Sequence, residues 1–270
     1  MIIKIFYLNL PEGTMRDAAH SEKTTSRTDG KSVEQDLREQ VAECTLMLNE
    51  LGLLGYSGHV SARLPDGRGF LIQSVDQSRA SLTPELLLVC DPDGRLLTGP
   101  AGLRPPLEVF MHSEVLRARP DVNSVAHFHH DRTTAFTLVD APRLVPIKNH
   151  AVRWASGIPT HGNPSHVNTL ERGRALATTL GPHHAAMIRA HGQVIVAESI
   201  PALLIDCVHF VENAVAMYDA ALLGRIMPLT AEEIASFQLD LNRDGHVSKL
   251  WTYYLGLARA KGIVPPDWKL

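Results

Sequence analysis

Short apolar segments typical of strands alternate with helical segments along most of this chain, and this alternation constrains the fold more than any other feature. Turn signals such as Asp66-Gly67 and Asp93-Gly94 separate the strand-like segments. Apolar residues recur at helical spacing elsewhere, beginning after a capping-box pattern at Ser32 and Gln35. The pattern predicts strands at 58–64, 70–73, 86–90, 123–128, 185–189 and 193–196, a loop with a strand within 143–158, and helices at 33–51, 105–117, 169–180, 200–224 and 248–260. Strands between helices indicate one three-layer α/β/α domain.

Composition excludes several classes of protein. The chain has 270 residues, of which 44% are hydrophobic and 20% charged, as in an ordinary soluble enzyme. A net charge of −3 argues against a nucleic-acid or acidic-membrane partner, because proteins that bind these partners usually have an excess of basic residues. Three widely separated cysteines indicate reduced thiols in a cytoplasmic protein. No signal peptide or membrane span is expected.

The chain is expected to divide into two parts. Residues 1–32 form an N-terminal arm, polar after its first ten residues, which is interpreted as mobile or as part of an interface. Residues 33–270 are predicted to form a single catalytic domain.

Histidine is the compositional outlier, with 14 residues. His127 and His129 stand at i and i+2 in an apolar strand, so both side chains point to one face. Two imidazoles placed in this way could reach one metal ion at ~2.1 Å. A strand end that emerges into solvent explains the same pattern.

Two further residues have both a structural and a functional interpretation. His191 lies in a tight turn before a glycine, where it could be a metal ligand or a hydrogen-bonded turn residue. Glu108 follows Pro105-Pro106 in the first turn of a predicted helix. Its carboxylate could interact favourably with the helix dipole or pair with His112. It could instead act as a metal ligand or as a general acid/base.

The order of these motifs resembles the class II aldolase/adducin family. Pro-Pro-Leu-Glu at 105–108, the His-x-His pair and the later His-Gly occur in that order within residues 33–223. The resemblance implies that His127, His129 and His191 bind the metal and that Glu108 is the acidic catalytic residue and a further ligand. It also implies a central, largely antiparallel sheet covered by helices on both faces. A homotetramer with active sites at subunit interfaces is implied as well.

Three segments depart from the pattern of the family's sugar-phosphate aldolases. Those enzymes read Gly-Asn-Val-Ser where this chain has Gly58-His59-Val60-Ser61, and Thr-Pro-Ser-Gly where it has Ile72-Gln73-Ser74-Val75. They also carry Ser-Ser where Pro106-Leu107 precedes Glu108. A phosphate dianion needs several aimed donors, and Pro106 has no N–H to offer. These changes favour a substrate without phosphate.

The departures resemble the family's decarboxylases of hydroxy-substituted aromatic and pyridine dicarboxylates. The expected substrate is 3-hydroxy-2-methylpyridine-4,5-dicarboxylate, as in vitamin B6 degradation, and the expected route runs through a metal-bound phenolate and its keto form. Glu108 would donate a proton to the ring carbon, which requires a raised pKa. His59 stands where the aldolases have the Asn that helps to bind phosphate, and it would bind the second carboxylate of the substrate.

The resemblance further implies one divalent metal per subunit, with Mn²⁺ favoured, Zn²⁺ as the alternative, and no organic cofactor. Several basic residues could bind the substrate's carboxylates, namely Arg79, Arg104, Lys148, Arg153 and Arg189. Tyr253 could contribute to substrate binding by closing the pocket of a neighbouring subunit.

Two other functions stay open at this point. The first is an aldolase or epimerase acting on a sugar phosphate, which needs the donor segments that are altered here. The second is a non-catalytic adducin-like binding domain, which lacks the complete set of histidines and glutamate found in this chain.

Overall fold

The computed structural model describes residues 32–268. The N-terminal arm expected at 1–32 therefore lies outside the described residues, except for Ser32. The Ser32 hydroxyl accepts a hydrogen bond from the Gln35 N–H and caps the first helix, where the capping pattern places its start.

Eight strands form one sheet at the centre of the described chain. They are ordered β4-β3-β2-β1-β5-β8-β7-β6, and every neighbouring pair is antiparallel except β6 and β7. The expected largely antiparallel sheet is thereby confirmed. The strands are β1 (His59–Arg63), β2 (Phe70–Ile72), β3 (Leu88–Cys90), β4 (Leu96–Thr98), β5 (Ser124–Phe128), β6 (Thr160–His161), β7 (Ala185–Ile188) and β8 (Gly192–Ala197).

Helices cover both faces of this sheet. They are α1 (Val33–Glu50), α2 (Val109–Ala118), α3 (Asp131–Ala135), α4 (Leu170–Leu180), α5 (Ile200–Leu223), α6 (Ala231–Asp240) and α7 (Arg243–Ala260). Along β5, Ala126 and Phe128 pack in the core shared with α1 and α5, whereas Val125 packs in the core shared with α2 and α4. Alternate strand residues thus point to opposite layers, which confirms the three-layer α/β/α fold.

Some element boundaries differ from the sequence-based expectation. The helix expected from Pro105 begins only at Val109, because Pro106 and Glu108 form a turn that leads into it. The strand expected within 143–158 is a 3-10 segment, Asn149–Trp154, and the strand follows it as β6. Helix α6 was missed, although Thr230 and Glu233 form a complete capping box at its start.

Helix α5 passes the length and hydropathy criteria of a membrane span. Its apolar window is 72% buried inside the fold. Leu203, Ile205 and Phe210 are among its fully buried side chains. This burial is that of a core helix, since its apolar surface is already covered by the sheet and by neighbouring helices.

Candidate metal centre

Four residues predicted from the sequence meet where two strand ends approach the start of α2. His127 lies on β5, and His129 follows this strand directly. His191 immediately precedes β8, which pairs with β5 so that Val194 lies opposite His127. Glu108 occupies the N-cap position of α2. Residues distant in sequence therefore come together because β5 and β8 are antiparallel neighbours.

The four side chains lie close enough to share one ion. The Nε2 atoms of His127 and His129 are 2.9 Å apart. Glu108 places Oε2 3.5 Å from Nε2 of His127 and Oε1 3.7 Å from Nε2 of His191. One ligand atom from each residue lies within 4.8 Å of all the others. Ligands bound tetrahedrally at ~2.1 Å are about 3.4 Å apart, so this set needs only small adjustments to bind a metal.

A hydrogen bond on the outer side of the His127 ring determines which of its nitrogens can bind an ion at the centre of the cluster. His127 Nδ1 lies 2.9 Å from the Gln193 carbonyl oxygen, which can only accept, so Nδ1 carries the proton in the neutral ring. Its Nε2 is then an acceptor that faces Nε2 of His129 and a carboxylate oxygen of Glu108. Among the described residues, neither ring nitrogen of His191 has a hydrogen-bond partner although both are buried. A converging set of imidazole nitrogens and carboxylate oxygens suits a cation.

Two glycines allow the strand ends to approach this centre. Gly58 has φ +99°, and a Cβ there would lie 2.7 Å from the His127 carbonyl oxygen. A Cβ at Gly192 would lie 2.5 Å from the Phe128 carbonyl oxygen and 2.7 Å from Cδ2 of His129. Any other residue at either position would displace the segment that carries the predicted ligands.

Glu108 is 5% exposed and ionised. Burial raises the pKa of its carboxyl group, but the contact with His127 and the hydrogen bond from the Val167 N–H outweigh that effect, and the net pKa is lowered. The Val167 N–H donates to Oε1 at 2.9 Å. The raised pKa that a proton donor requires is therefore not found. Glu108 would therefore start any proton transfer as the ionised carboxylate.

His59 is joined to this centre through a chain of buried hydrogen bonds. Its Nδ1 lies 2.8 Å from Nε2 of His112, whose Nδ1 lies 2.6 Å from Oγ of Ser61. Its Nε2 lies 3.9 Å from Oε2 of Glu108. Burial, reinforced by the neighbouring imidazoles, lowers the pKa of His59 well below its usual range and that of His112 to about 3. Both rings are thus neutral at pH 7.

One set of tautomers satisfies every atom in this chain. The Ser61 hydroxyl donates to Nδ1 of His112, the Nε2–H of His112 donates to Nδ1 of His59, and His59 presents an Nε2–H to Glu108 or to a ligand. Sequence reasoning identified His59 but gave His112 no role beyond a partner for Glu108. The spacing of four residues between Glu108 and His112 was the available signal.

His166 also reaches the centre and was not predicted. Its Nδ1 lies 3.7 Å from Oε1 of Glu108, and its side chain is 67% exposed at the mouth of the site. It lies in the loop before α4, where neither spacing nor periodicity distinguishes it from a surface histidine.

Arg79 is the predicted anion-binding residue with the strongest connection to the site. It is 6% exposed, its Nε donates to the Gly58 carbonyl oxygen at 3.1 Å, and its charge acts on His59. Its guanidinium bonds backbone carbonyl oxygens, and within residues 32–268 it forms no ion pair. A buried positive charge without a carboxylate partner suits the binding of an anionic ligand.

The other predicted anion-binding residues have different surroundings. Arg104 is exposed and pairs with Asp76 at 3.1 Å. Arg153 pairs with Asp206 and Glu198, and Lys148 pairs with Glu212. Arg189 is exposed in the turn before His191, and Tyr253 is 57% exposed and packs edge-on against Tyr254. Their roles in substrate binding stay predictions.

Sequence comparison explains this arrangement. A family model described as Class II Aldolase and Adducin N-terminal domain matches residues 39–218, more than half of the chain. The chain belongs to this family. Class II aldolases use a divalent metal, and the cluster of Glu108 with three histidines is a candidate site for it.

Curated relatives are lyases of several kinds. The chain is 29% identical over 175 residues to 3,4-dihydroxyphthalate decarboxylase from Rhodococcus jostii, covering 60% of this chain and 71% of the relative. It is 28% identical over 203 residues to L-fuculose phosphate aldolase from Escherichia coli O6:H1, covering 74% and 91%. Other relatives are a methylthioribulose-1-phosphate dehydratase and a 3-oxo-tetronate 4-phosphate decarboxylase. These similarities support a lyase. They do not distinguish a carboxy-lyase from an aldehyde-lyase.

Solved structures show the same fold. An aldolase II superfamily protein from Pseudomonas syringae superimposes with a TM-score of 0.76 at 23% identity, covering 88% of this chain and 98% of that one.

Proposed function

We propose that this chain is a metal-dependent decarboxylase of a hydroxy-substituted aromatic or pyridine dicarboxylate, with 3-hydroxy-2-methylpyridine-4,5-dicarboxylate as the first substrate to test. One observation carries this choice over a sugar-phosphate lyase. Gln73, in a segment that departs from the aldolase pattern, is 1% exposed and directs its amide inward to the Val60 N–H and the Gly58 carbonyl oxygen. Its burial and its bonds to the backbone therefore keep this amide away from a phosphate.

The four clustered residues, His127, His129, His191 and Glu108, would hold one divalent ion. Mn²⁺ is favoured and Zn²⁺ is the alternative, because a substrate hydroxyl and its neighbouring carboxylate are oxygen ligands. When bound, the ion supplies a Lewis acid that stabilises negative charge on the substrate oxygens and orients the ring.

Glu108 is suited to move the proton. As an ionised carboxylate it takes the proton from the substrate hydroxyl and delivers it to the ring carbon that bears the departing carboxylate. The bond between that carbon and the carboxylate then breaks, carbon dioxide leaves, and the bonding electrons restore the aromatic ring. A proton from solvent returns to the ring oxygen. The lowered pKa of Glu108 keeps the carboxylate ionised at neutral pH, as the first of these transfers requires.

His59 and Arg79 are suited to bind the carboxylate that stays on the ring. The chain of hydrogen bonds from Ser61 through His112 holds His59 in one orientation with its Nε2 toward Glu108. The buried guanidinium of Arg79 adds a positive charge beside His59. A second carboxylate bound here would keep the ring from rotating while the first one leaves.

A sugar-phosphate aldolase or related lyase is the second candidate. The similarity to L-fuculose phosphate aldolase over 74% of this chain favours it. A non-catalytic adducin-like role has less support, because the complete set of clustered ligands has no purpose in a binding domain.

Carbon dioxide release by Mn²⁺-loaded and Zn²⁺-loaded protein tests the proposal. The panel contains hydroxy-substituted pyridine and benzene dicarboxylates, with dihydroxyacetone phosphate plus aldehydes as the aldol control. His127→Ala is the inactive control, and Arg95→Ala is the control for Arg79→Ala because Arg95 is exposed and pairs with Asp93. Release from a ring acid supports the decarboxylase. Aldol turnover without any release would replace it with the second candidate.

The expected homotetramer with active sites at subunit interfaces stays a prediction, as does closure of a neighbour's pocket by Tyr253. Light scattering at several protein concentrations measures the assembly. A monomer at every concentration would contradict both.

A further inference from the structure

A second group of metal-ligating side chains lies outside the centre described above. His209 and Glu212 stand three residues apart on α5, so both project from one face of that helix. His150 projects toward them from the 3-10 segment Asn149–Trp154. One ligand atom from each of the three lies within 4.8 Å of the other two.

The distances are close to those of a bound ion. His150 Nε2 lies 3.4 Å from Oε2 of Glu212, which matches the separation of about 3.4 Å expected between ligands of a tetrahedral metal. The rings of His150 and His209 stack with their centroids 4.0 Å apart and their planes 20° apart. One nitrogen of each ring also lies within 4.8 Å of a carboxylate oxygen of Glu212.

A third imidazole flanks the group. His246 on α7 places its ring centroid 5.3 Å from that of His209. The Nε2 atoms of His150 and His246 are buried and, within residues 32–268, have no hydrogen-bond partner. Buried nitrogens without partners are costly, and binding an ion would satisfy them.

The backbone that carries His150 is fixed before any ion binds. The Asn213 side chain, 1% exposed, accepts hydrogen bonds from the N–H groups of Ile147 and Lys148 and donates to the Val145 carbonyl oxygen. These three bonds hold the segment against the turn of α5 that carries Glu212. Preorganisation of this kind reduces the ordering that binding would otherwise require.

We propose that His150, His209 and Glu212 form a second transition-metal site, with His246 available as a fourth ligand. Two imidazoles and one carboxylate form a ligand set that suits Zn²⁺, Co²⁺ or Ni²⁺ better than Ca²⁺ or Mg²⁺, which prefer oxygen alone. The site shares no ligand with Glu108, His127, His129 and His191, so its occupancy is independent of the proposed reaction.

Lys148 is the one cationic group that contacts these ligands in the described part of the chain. Its Nζ pairs with Oε2 of Glu212 at 3.1 Å, and its side chain is 37% exposed. An arriving ion would displace this ammonium group into solvent. Lys148→Met should therefore strengthen binding at the second site by about twofold to fivefold, the range of one exposed ion pair.

Metal stoichiometry of the full chain tests the proposal. Metal-free protein is equilibrated with Zn²⁺ by dialysis, and bound zinc is measured by atomic absorption. We expect two ions in the native chain, one in His127→Ala, one in His209→Gln, and none in the double variant. His183→Gln is the matched control, because this half-buried histidine contacts Ser156 rather than either cluster, and it should keep two ions.

Further variants separate loss of a ligand from loss of folding. Glu212→Gln keeps the shape of the side chain and should weaken the second site at least tenfold, with circular dichroism unchanged. Zn²⁺ should raise the melting temperature of His127→Ala but not that of the double variant. One ion in the native chain together with none in His127→Ala would overturn the proposal. Two ions in well-folded His209→Gln would do the same.

Discussion

Gly192→Ala tests whether close packing of the strand end controls the metal centre. The added methyl group would lie 2.5 Å from the Phe128 carbonyl oxygen and 2.7 Å from Cδ2 of the His129 ring. Ordinary contact begins near 3.4 Å, so the ring must move by about 0.7 Å or the strands must separate by a similar distance. Metal ligands tolerate about 0.2 Å, and the substitution therefore exceeds that tolerance.

Two measurable effects follow from this displacement. Overpacking of a buried position costs about 1–3 kcal/mol, which for a chain of this size lowers the melting temperature by about 2–12 °C. Displacement of one ligand should weaken metal binding by about 10- to 100-fold, as for other changes that misplace a ligand.

Calorimetry of the metal-free variant and zinc titration against a competing chelator measure the two effects separately. Gly162→Ala is the matched control, because its added methyl group would have nothing within 4 Å and its backbone does not have positive φ. If Gly192→Ala melts and binds zinc like Gly162→Ala, the strand end is not under the steric constraint described here.

Three further predictions concern the same centre. His127→Ala should lose tightly bound metal and activity together, and full activity in metal-free protein, measured after chelator treatment, would contradict the assigned role. Glu108→Gln should lose turnover by about 100-fold or more while keeping much of the metal, because its amide cannot accept and return a proton; unchanged turnover would remove it from proton transfer. The metal-free protein should become less stable as pH falls from about 6.5 to about 4. Burial lowers the pKa of His129 and His191 to about 4 and that of His112 to about 3, so the unfolded chain binds protons in this range before the folded chain does. Urea unfolding at pH 7.5 and pH 5 measures this, and His112→Asn should reduce the difference.

The sequence contained enough information to identify the candidate ligands and the layers of the fold. His127 and His129 share a strand face through a period of two, and β5 was recognised from its apolar residues. The start of α1 was marked by Ser32, whose hydroxyl does cap the helix. These features depend on residues close in sequence, and local geometry determines them.

Other features depended on contacts between distant segments. The sequence could not reveal that the Gln193 carbonyl fixes the tautomer of His127, or that the Val167 N–H helps keep Glu108 ionised. The raised pKa that a proton-donor role requires is not found at Glu108 for this reason, although burial alone would have raised it.

The same distinction applies to the residues around the site. Sequence favoured several cationic residues equally, but tertiary structure separated buried Arg79, which has no carboxylate partner among the described residues, from Arg104 and Arg153, which have partners. It also brought His150, on a 3-10 segment, against two residues of α5 that lie about sixty positions further along. Periodicity determines which face of a strand or helix a residue occupies. Only tertiary packing determines which other face lies against it. These contacts between distant segments determine the charge and tautomer of the side chains and the geometry of the candidate ligands.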